Sequence, residues 1–239
     1  MLEILFPNLM TKTFFLLFIS LLFTYVGAQL VVSFFRNAYK NKKKYVTATK
    51  NKEGEVNIHV APRVLNWMIW PVIIIDLAVF LSLLLFFQKM FPLNIIVMFF
   101  YTFVTGIMLG IVLIAVDENL AMKVAWLTAI ITLLAGAIGM YSSIDFSFMS
   151  SFLFFALLAL IAVNFMRIFV SIRGTTKRVV ALIGVLIFVG YLLVDFSNLK
   201  KAKKIQAMNN WLTALDFSIN IYLDIINLFL EILDAMSDD

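Results

Sequence analysis

The amino-acid sequence predicts an all-α integral membrane protein with seven transmembrane helices. Three observations predict this class: 63% of the 239 residues are hydrophobic, only 14% are charged, and the apolar residues fall into long runs. Soluble globular chains are about half apolar and about a quarter charged. Because a water-soluble core cannot hide this apolar excess, we expect the lipid bilayer to surround a single membrane domain that covers residues 1–239.

Seven apolar runs, each near the roughly 20 residues that a helix needs to cross the hydrocarbon core, mark the expected spans. They are Thr13–Phe35, Leu65–Gln88, Leu93–Val116, Leu120–Tyr141, Phe146–Phe165, Val179–Asn198 and Trp211–Leu233. Backbone groups in lipid have to be hydrogen-bonded within the chain, and the runs lack strand-like alternation, so we expect helices. The first run is too long for the apolar part of a signal peptide. A bacterial inner membrane and an organelle membrane both suit this composition.

The longest polar stretch, residues 36–63, lies between the first two runs. It carries eight basic residues against Glu53 and Glu55, and residues 51–54 are typical of a turn between two short strands. We expect a solvated loop; the alternative is a basic patch that binds anionic lipid headgroups. Because the positive charge lies mostly in loops, the net charge of +5 indicates membrane topology and not nucleic-acid binding. The charge count places the amino terminus outside and the carboxyl terminus inside.

Carboxylates inside the apolar runs are the candidate functional residues, because a charged side chain in a span costs roughly 2.5–3.5 kcal/mol on insertion scales. Asp76 lies in the second run and Asp195 in the sixth. The seventh run carries five polar residues at spacings of four, four, three and four: Asp216, Asn220, Asp224, Asn227 and Glu231. This spacing places them on one helical face, which we expect to turn toward the bundle interior or a wet cavity. Their oxygen and amide groups suit protons or calcium, and the alternative is interhelical packing only.

Segments of spans three to seven resemble the Bax inhibitor-1 family, also called the transmembrane Bax-inhibitor-motif or lifeguard-like family. Residues 214–230, ALDFSINIYLDIINLFL, are similar to the final helix of that family. Residues 191–198, YLLVDFSN, are similar to the end of its sixth helix. Residues 101–109 and 139–153 also agree, in the same order along the chain.

The resemblance implies six helices around a central seventh, and a pH-sensitive leak of calcium or other cations. It implies that Asp195 and Asp224, on the last two helices, form a proton-sensing gate that also binds calcium. A basic latch residue ends the second helix of the family; Lys89 is the candidate, and Gln88 aligns about as well. If the last two spans are level at their midpoints, however, Asp195 lies beside Asp216, and Asp224 lies about 12 Å deeper. Asp216 therefore competes with Asp224 as the partner of Asp195.

Two other functions stay open beside a channel or proton-coupled transporter. A non-conducting membrane protein that regulates cell death or stress through protein contacts would have the same spans, and its protein partners cannot be named from the sequence. An intramembrane aspartyl protease also has one Asp on each of two adjacent helices. Its motifs are absent, because Asn-Ile-Tyr-Leu precedes Asp224 and no proline follows Pro92. We therefore expect no enzymatic activity and no cofactor, with protons and calcium as the ligands.

Overall fold

The structure is a computed structural model that describes residues 5–50, 56–87, 90–114, 116, 118–167, 169–170 and 173–237. Long α-helices and one β-hairpin account for most of these residues. In chain order the elements are α1 (Leu9–Lys40), β1 (Val46–Lys50), β2 (Val56–Val60), α2 (Pro62–Ser82), α3 (Leu93–Ile114), α4 (Glu118–Tyr141), α5 (Ser150–Met166), α6 (Gly174–Ala202) and α7 (Trp211–Met236). A π-helical segment, Leu83–Phe87, extends α2, and short 3-10 turns precede α5 and α7.

Six helices in the described part of the chain are long and apolar enough to cross a membrane. They are Leu9–Lys40, Pro62–Phe87, Leu93–Ile114, Asn119–Tyr141, Phe146–Met166 and Gly174–Ala202, which correspond to the first six predicted spans. The protein is therefore an all-α, multi-pass membrane protein, as predicted. The seventh predicted span forms α7, whose carboxylates and amides interrupt its apolar residues, and it is not among these six. Seven spans with a central seventh stay a prediction.

The chain divides into two compact units, Phe15–Ala121 and Met1–Phe14 with Met122–Asp239. In the first unit α1 and α3 approach closely because glycines lie where they meet. A Cβ added at Gly106 would lie 2.2 Å from the Thr24 carbonyl oxygen, so a side chain has no room there. At the same level the Thr24 hydroxyl donates a hydrogen bond to the carbonyl of Thr102 (3.0 Å). Small residues at such contacts allow helices in membranes to pack by their backbones.

The polar stretch between α1 and α2 contains the expected hairpin. Strands β1 and β2 pair antiparallel, with Val46 opposite Val60, and the turn at 51–55 lies outside the described residues. The side chains of both valines are buried in a cluster with Phe35 of α1 and Ile111 of α3. Part of the predicted solvated loop is therefore a hairpin packed on the helices, because its alternating valines supply an apolar face.

In the second unit α6 and α7 are adjacent and antiparallel, and α7 is extensively buried. Ile221, Tyr222 and Leu228 of α7 are fully buried. The segment before α7 is anchored by Lys12, whose ammonium group donates to the carbonyl oxygen and the side-chain oxygen of Asn209 (3.0 and 2.9 Å). These contacts fix where α7 begins relative to the rest of its unit.

The connection between α4 and α5 is fastened to the end of α6. Asp145 accepts hydrogen bonds from the ammonium group of Lys201 and from the backbone and hydroxyl of Ser147. The hydrogen bond from Lys201, followed by those from Ser147, holds the pKa of the Asp145 carboxyl below its usual range. The neighbouring Lys200 donates to the carbonyl oxygen of Ser142.

Candidate functional site

The structure divides the predicted polar face of α7. Asp224 and Glu231 are buried and Asn227 is half-buried, whereas Asp216 and Asn220 are exposed. The side-chain amide of Asn227 donates to the carbonyl of Leu223 on its own helix (2.8 Å). Helical spacing places the five residues on one face, but it carries no information about which neighbour covers that face at each level. The buried part of the face begins at Asp224.

Asp195 of α6 and Asp224 of α7 come together. Their carboxyl groups lie within hydrogen-bonding reach of each other, and Tyr191, one turn earlier on α6, lies beside both. No donor among the described residues reaches Oδ2 of Asp224, which is buried. Two carboxylates this close in a low dielectric cannot both be charged cheaply, so the pair suits one shared proton or a bound cation.

The contacts between α6 and α7 bring Asp195 to Asp224 and not to Asp216. Gly184 of α6 packs directly against Glu231, because a Cβ at Gly184 would lie only 2.5 Å from the Glu231 carboxyl. Asp195 lies three turns further along α6 and meets Asp224, which lies two turns back along α7, so the pairing cannot be obtained by counting residues from one contact. The midpoint comparison placed Asp216 there because equal span midpoints ignore the packing that fixes helix register.

A second polar cluster lies toward the carboxyl end of α7. The guanidinium of Arg167, at the end of α5, donates to both carboxylate oxygens of Asp234 (2.8 and 3.2 Å) and to the side-chain oxygen of Asn164 (3.1 Å). Lys177, in the first turn of α6, lies 3.8 Å from Asp234 and donates to Ser237. Sequence reasoning missed this cluster, because its charges lie at span ends and looked like loop residues.

Glu231 connects to this cluster through Asn164. The two side chains are hydrogen-bonded, and the charges of Asp234 and Arg167 act on Glu231. A cavity of about 520 Å³ opens beside them. It is lined by Asn164, Arg167, Asn227, Leu230, Glu231 and Asp234. The predicted stripe residues Asn227 and Glu231 therefore line a polar cavity, whereas Asp224 belongs to the aspartate pair.

The other sequence-derived candidates lie elsewhere. Asp76 of α2 accepts a hydrogen bond from the Thr105 hydroxyl of α3 (2.7 Å), with Tyr101 beside it. Lys89 and Gln88, the two positions considered for the latch, lie outside the described residues. Within the described ranges no three His, Asp or Glu side chains are grouped to hold a metal ion. A calcium ion at the aspartate pair would draw its remaining oxygen ligands from carbonyls and water.

The family model described as "Inhibitor of apoptosis-promoting Bax1" matches residues 7–239, nearly the whole chain. The chain belongs to this Bax inhibitor family. The resemblance in spans three to seven is confirmed, and the match extends it to the first two spans.

Relatives of this Bax inhibitor family protein come from a plant and a virus. Protein LIFEGUARD 1 of Arabidopsis thaliana is 30% identical over 161 residues, which are 65% of either chain. Protein LIFEGUARD 4 of the same plant is 26% identical over 168 residues, 69% of this chain and 66% of that protein. The Golgi anti-apoptotic protein of vaccinia virus (strain Lister) is 33% identical over 145 residues, 61% of this chain and 58% of that protein. The matches thus cover 58–66% of the length of these relatives.

Proposed function

We propose that this Bax inhibitor family protein is a pH-sensitive leak channel for calcium or other cations, or a proton-coupled cation transporter, gated by Asp195 and Asp224. The observation that carries the proposal is the contact between these two carboxyls on neighbouring helices. No cationic side chain among the described residues acts on either carboxyl, so a proton or a cation between them is needed to compensate their like charges. Ionisable groups within membrane segments commonly belong to ion and proton pathways.

In the proposed mechanism the two aspartates share a proton in the closed state. Loss of that proton leaves two negative charges that repel each other across the α6–α7 contact, and α7 then moves away from α6. Alternatively, a cation replaces the proton and bridges the carboxylates. The mechanism requires α7 to cross the membrane as the seventh helix, among the other six.

Calcium flux into liposomes that contain the purified protein tests the gate. We expect flux to depend on pH in the wild type, and this dependence to be lost or altered in Asp195→Asn and Asp224→Asn, which remove the shared proton site. Asp216→Asn is the matched control, because it removes a carboxylate from the same helix at an exposed position. Loss of pH dependence in the control, or its survival in both pair variants, contradicts the gate.

A non-conducting regulatory protein is the alternative, and the printed name of the viral relative, an anti-apoptotic protein, is what favours it. Such a protein works through contacts with partners, so charge-neutral replacement of Asp195 and Asp224 would leave its activity intact. Liposomes that conduct no better than empty ones in every variant would favour this alternative. An intramembrane protease would instead cleave a substrate helix and lose that activity in either Asn variant; we infer that the protein is not an enzyme.

We further propose that anionic lipid headgroups bind at the base of the hairpin. A cavity of about 640 Å³ opens there at the end of α1. It is lined by Tyr39, Lys40, Lys42, Lys43, Lys44, Val46, Thr47 and Ala48. Four lysines directly after a membrane helix attract anionic lipid with about 1 kcal/mol for each charge near the surface.

Vesicle binding tests the lipid proposal with the full-length protein in nanodiscs of zwitterionic lipid. We expect Lys40→Gln with Lys43→Gln to weaken capture of vesicles that contain phosphatidylserine by about thirtyfold, which corresponds to the loss of two charges at about 1 kcal/mol each near the surface. Lys203→Gln with Lys204→Gln is the matched control, because these lysines are exposed after α6 and do not line the cavity. Equal loss in both double variants would mean that only the net charge matters.

A further inference from the structure

We propose that Glu231 is a second proton-binding carboxyl, which exchanges protons between the aspartate pair and the membrane surface at which α7 ends. Its role in exchange rests on the proposed function, but the binding of a proton by Glu231 does not. The proposal is carried by the packing around its carboxyl group, by the charges that face it and by the cavity beside it.

The carboxyl group of Glu231 is enclosed by α6 and has only part of its hydrogen-bonding capacity used. The residue is 9% exposed, and one hydrogen bond links it to Asn164. Its Oε2 atom has no donor from the described residues and lies against Gly184, where an added Cβ would be 2.5 Å away. A carboxylate oxygen without a donor in a low dielectric is costly, whereas a protonated carboxyl is tolerated there at much lower cost. The niche at Gly184 therefore suits the acid form of Glu231.

The charged groups that face Glu231 favour its deprotonated form once the side chain leaves this niche. Asp234 on α7 itself and Arg167 from the end of α5 act on Glu231, with Asp234 the stronger while the carboxyl lies in the niche, and Lys177 from the first turn of α6 lies 3.8 Å from Asp234. Together these three side chains carry a net charge of +1. A Glu231 carboxylate that swings into the adjoining cavity meets this charge and brings the cluster to neutrality. The two environments thus favour different protonation states of one side chain, as a proton-exchanging group requires.

The position of Glu231 along α7 connects it to the aspartate pair. Asp224 lies two turns earlier on the same face, about 10 Å along the axis at 1.5 Å per residue. Asn227 lies between them and lines the same cavity as Glu231. A polar side chain therefore occurs at each turn from the aspartate pair to the cavity. This distance is too long for direct transfer, so exchange needs water in the cavity together with Asn227.

Infrared spectroscopy of the full-length protein tests proton binding directly. The chain contains five glutamates, and glutamate labelled with ¹³C at its carboxyl separates their C=O bands from those of aspartate. At neutral pH we expect an isotope-sensitive band of a protonated carboxyl in the wild type, in Asp195→Asn and in Asp224→Asn. The band should be lost in Glu231→Gln. Absence of the band from the wild type, or its survival in Glu231→Gln, would overturn the proposal.

Gly184→Ala tests the niche while Glu231 stays in place. The added methyl group would push the carboxyl out toward the cavity, since the atom it meets is the end of a flexible side chain. We expect the infrared band of the protonated glutamate to be lost, or to appear only at a lower pH than in the wild type. The thermal midpoint of unfolding of Gly184→Ala should be close to that of Glu231→Gln. An unchanged band in a folded Gly184→Ala protein would overturn the role of the niche.

Flux measurements test the exchange role separately. We expect Glu231→Gln to shift the pH dependence of calcium flux in liposomes, with Asp216→Asn as the unaffected control. A pH profile identical to the wild type would overturn exchange through Glu231, even if the infrared band is present. If neither the wild type nor any variant conducts, the channel proposal fails and the exchange role fails with it. Glu231 is still established as a proton-binding site if its infrared band is present in the wild type and lost in Glu231→Gln.

Discussion

Replacement of Gly106 by alanine tests the helix packing most directly. The new Cβ would lie 2.2 Å from the Thr24 carbonyl oxygen and 2.8 Å from two further backbone atoms of Thr24. No rotamer change relieves a contact with backbone, so α1 and α3 have to separate by roughly 1 Å to reach ordinary contact distances. That separation stretches the hydrogen bond from Thr24 to the Thr102 carbonyl from 3.0 Å to beyond bonding distance.

The expected loss follows from these distances. Overpacking of this kind costs about 1–3 kcal/mol, and the lost interhelical hydrogen bond about 0.6 kcal/mol. The higher helix propensity of alanine offsets up to about 1 kcal/mol of this loss in the free energy of unfolding. We therefore expect Gly106→Ala to lower the free energy of unfolding by about 1–2 kcal/mol. For a chain of this length the thermal midpoint should fall by about 3–6 °C.

Thermal unfolding in detergent, with Gly136→Ala as the matched control, is the assay. The three atoms nearest to a Cβ at Gly136 belong to the ring of Phe196, at 3.1–3.4 Å, and that side chain can give way by a few tenths of an ångström. The control should therefore unfold within a degree or so of the wild type, or slightly above it. The packing argument is refuted if the two variants have the same midpoint.

Two further predictions concern polar contacts. Thr105→Val keeps the shape of the side chain but removes the hydrogen-bond donor to Asp76. It should lower the free energy of unfolding, measured by thermal unfolding, by about 1–3 kcal/mol. In the Asp76→Leu background the same change should have little effect on stability. Lys201→Gln should raise the pKa of Asp145 toward its ordinary value, measured by NMR titration of that carboxyl. Because the pKa of Asp145 is lowered in the folded protein, its stabilising effect is present above the ordinary value and lost as pH falls, so Lys201→Gln should also weaken the acid dependence of stability.

The sequence predicted the helices well and their ends less well. The first span, expected at Thr13–Phe35, belongs to a helix over Leu9–Lys40, and the sixth, expected at Val179–Asn198, to one over Gly174–Ala202. Hydropathy marks the part of a helix that suits lipid, whereas backbone hydrogen bonding continues through the polar residues on either side. The charged ends of the helices were therefore assigned to loops.

The site was predicted in part, and the two lines of reasoning gave different results. Spacing along α7 located Asp224 and Glu231, but it could not separate them from the exposed Asp216. The family resemblance selected Asp195 with Asp224, and the structure brings these two together. Register between helices is set by contacts such as Gly184 against Glu231, which no property of one helix reveals. The ion pair between Arg167 and Asp234 joins residues far apart in the sequence and escaped prediction for the same reason.

The polar residues of α7 explain why the gate is expected there and not at the other intramembrane carboxylate. Asp76 in α2 has a hydroxyl donor from Thr105, so its contact is stable without any change of protonation. Asp224 instead faces Asp195, and in the proposed gate this contact holds only while a proton or a cation lies between the two acids. A helix with such side chains is expensive to place in lipid alone and depends on its neighbours for its position. In the proposed gate, the contact between α7 and Asp195 is thus also the contact that a change of pH breaks, and protonation is coupled through it to movement of the helix.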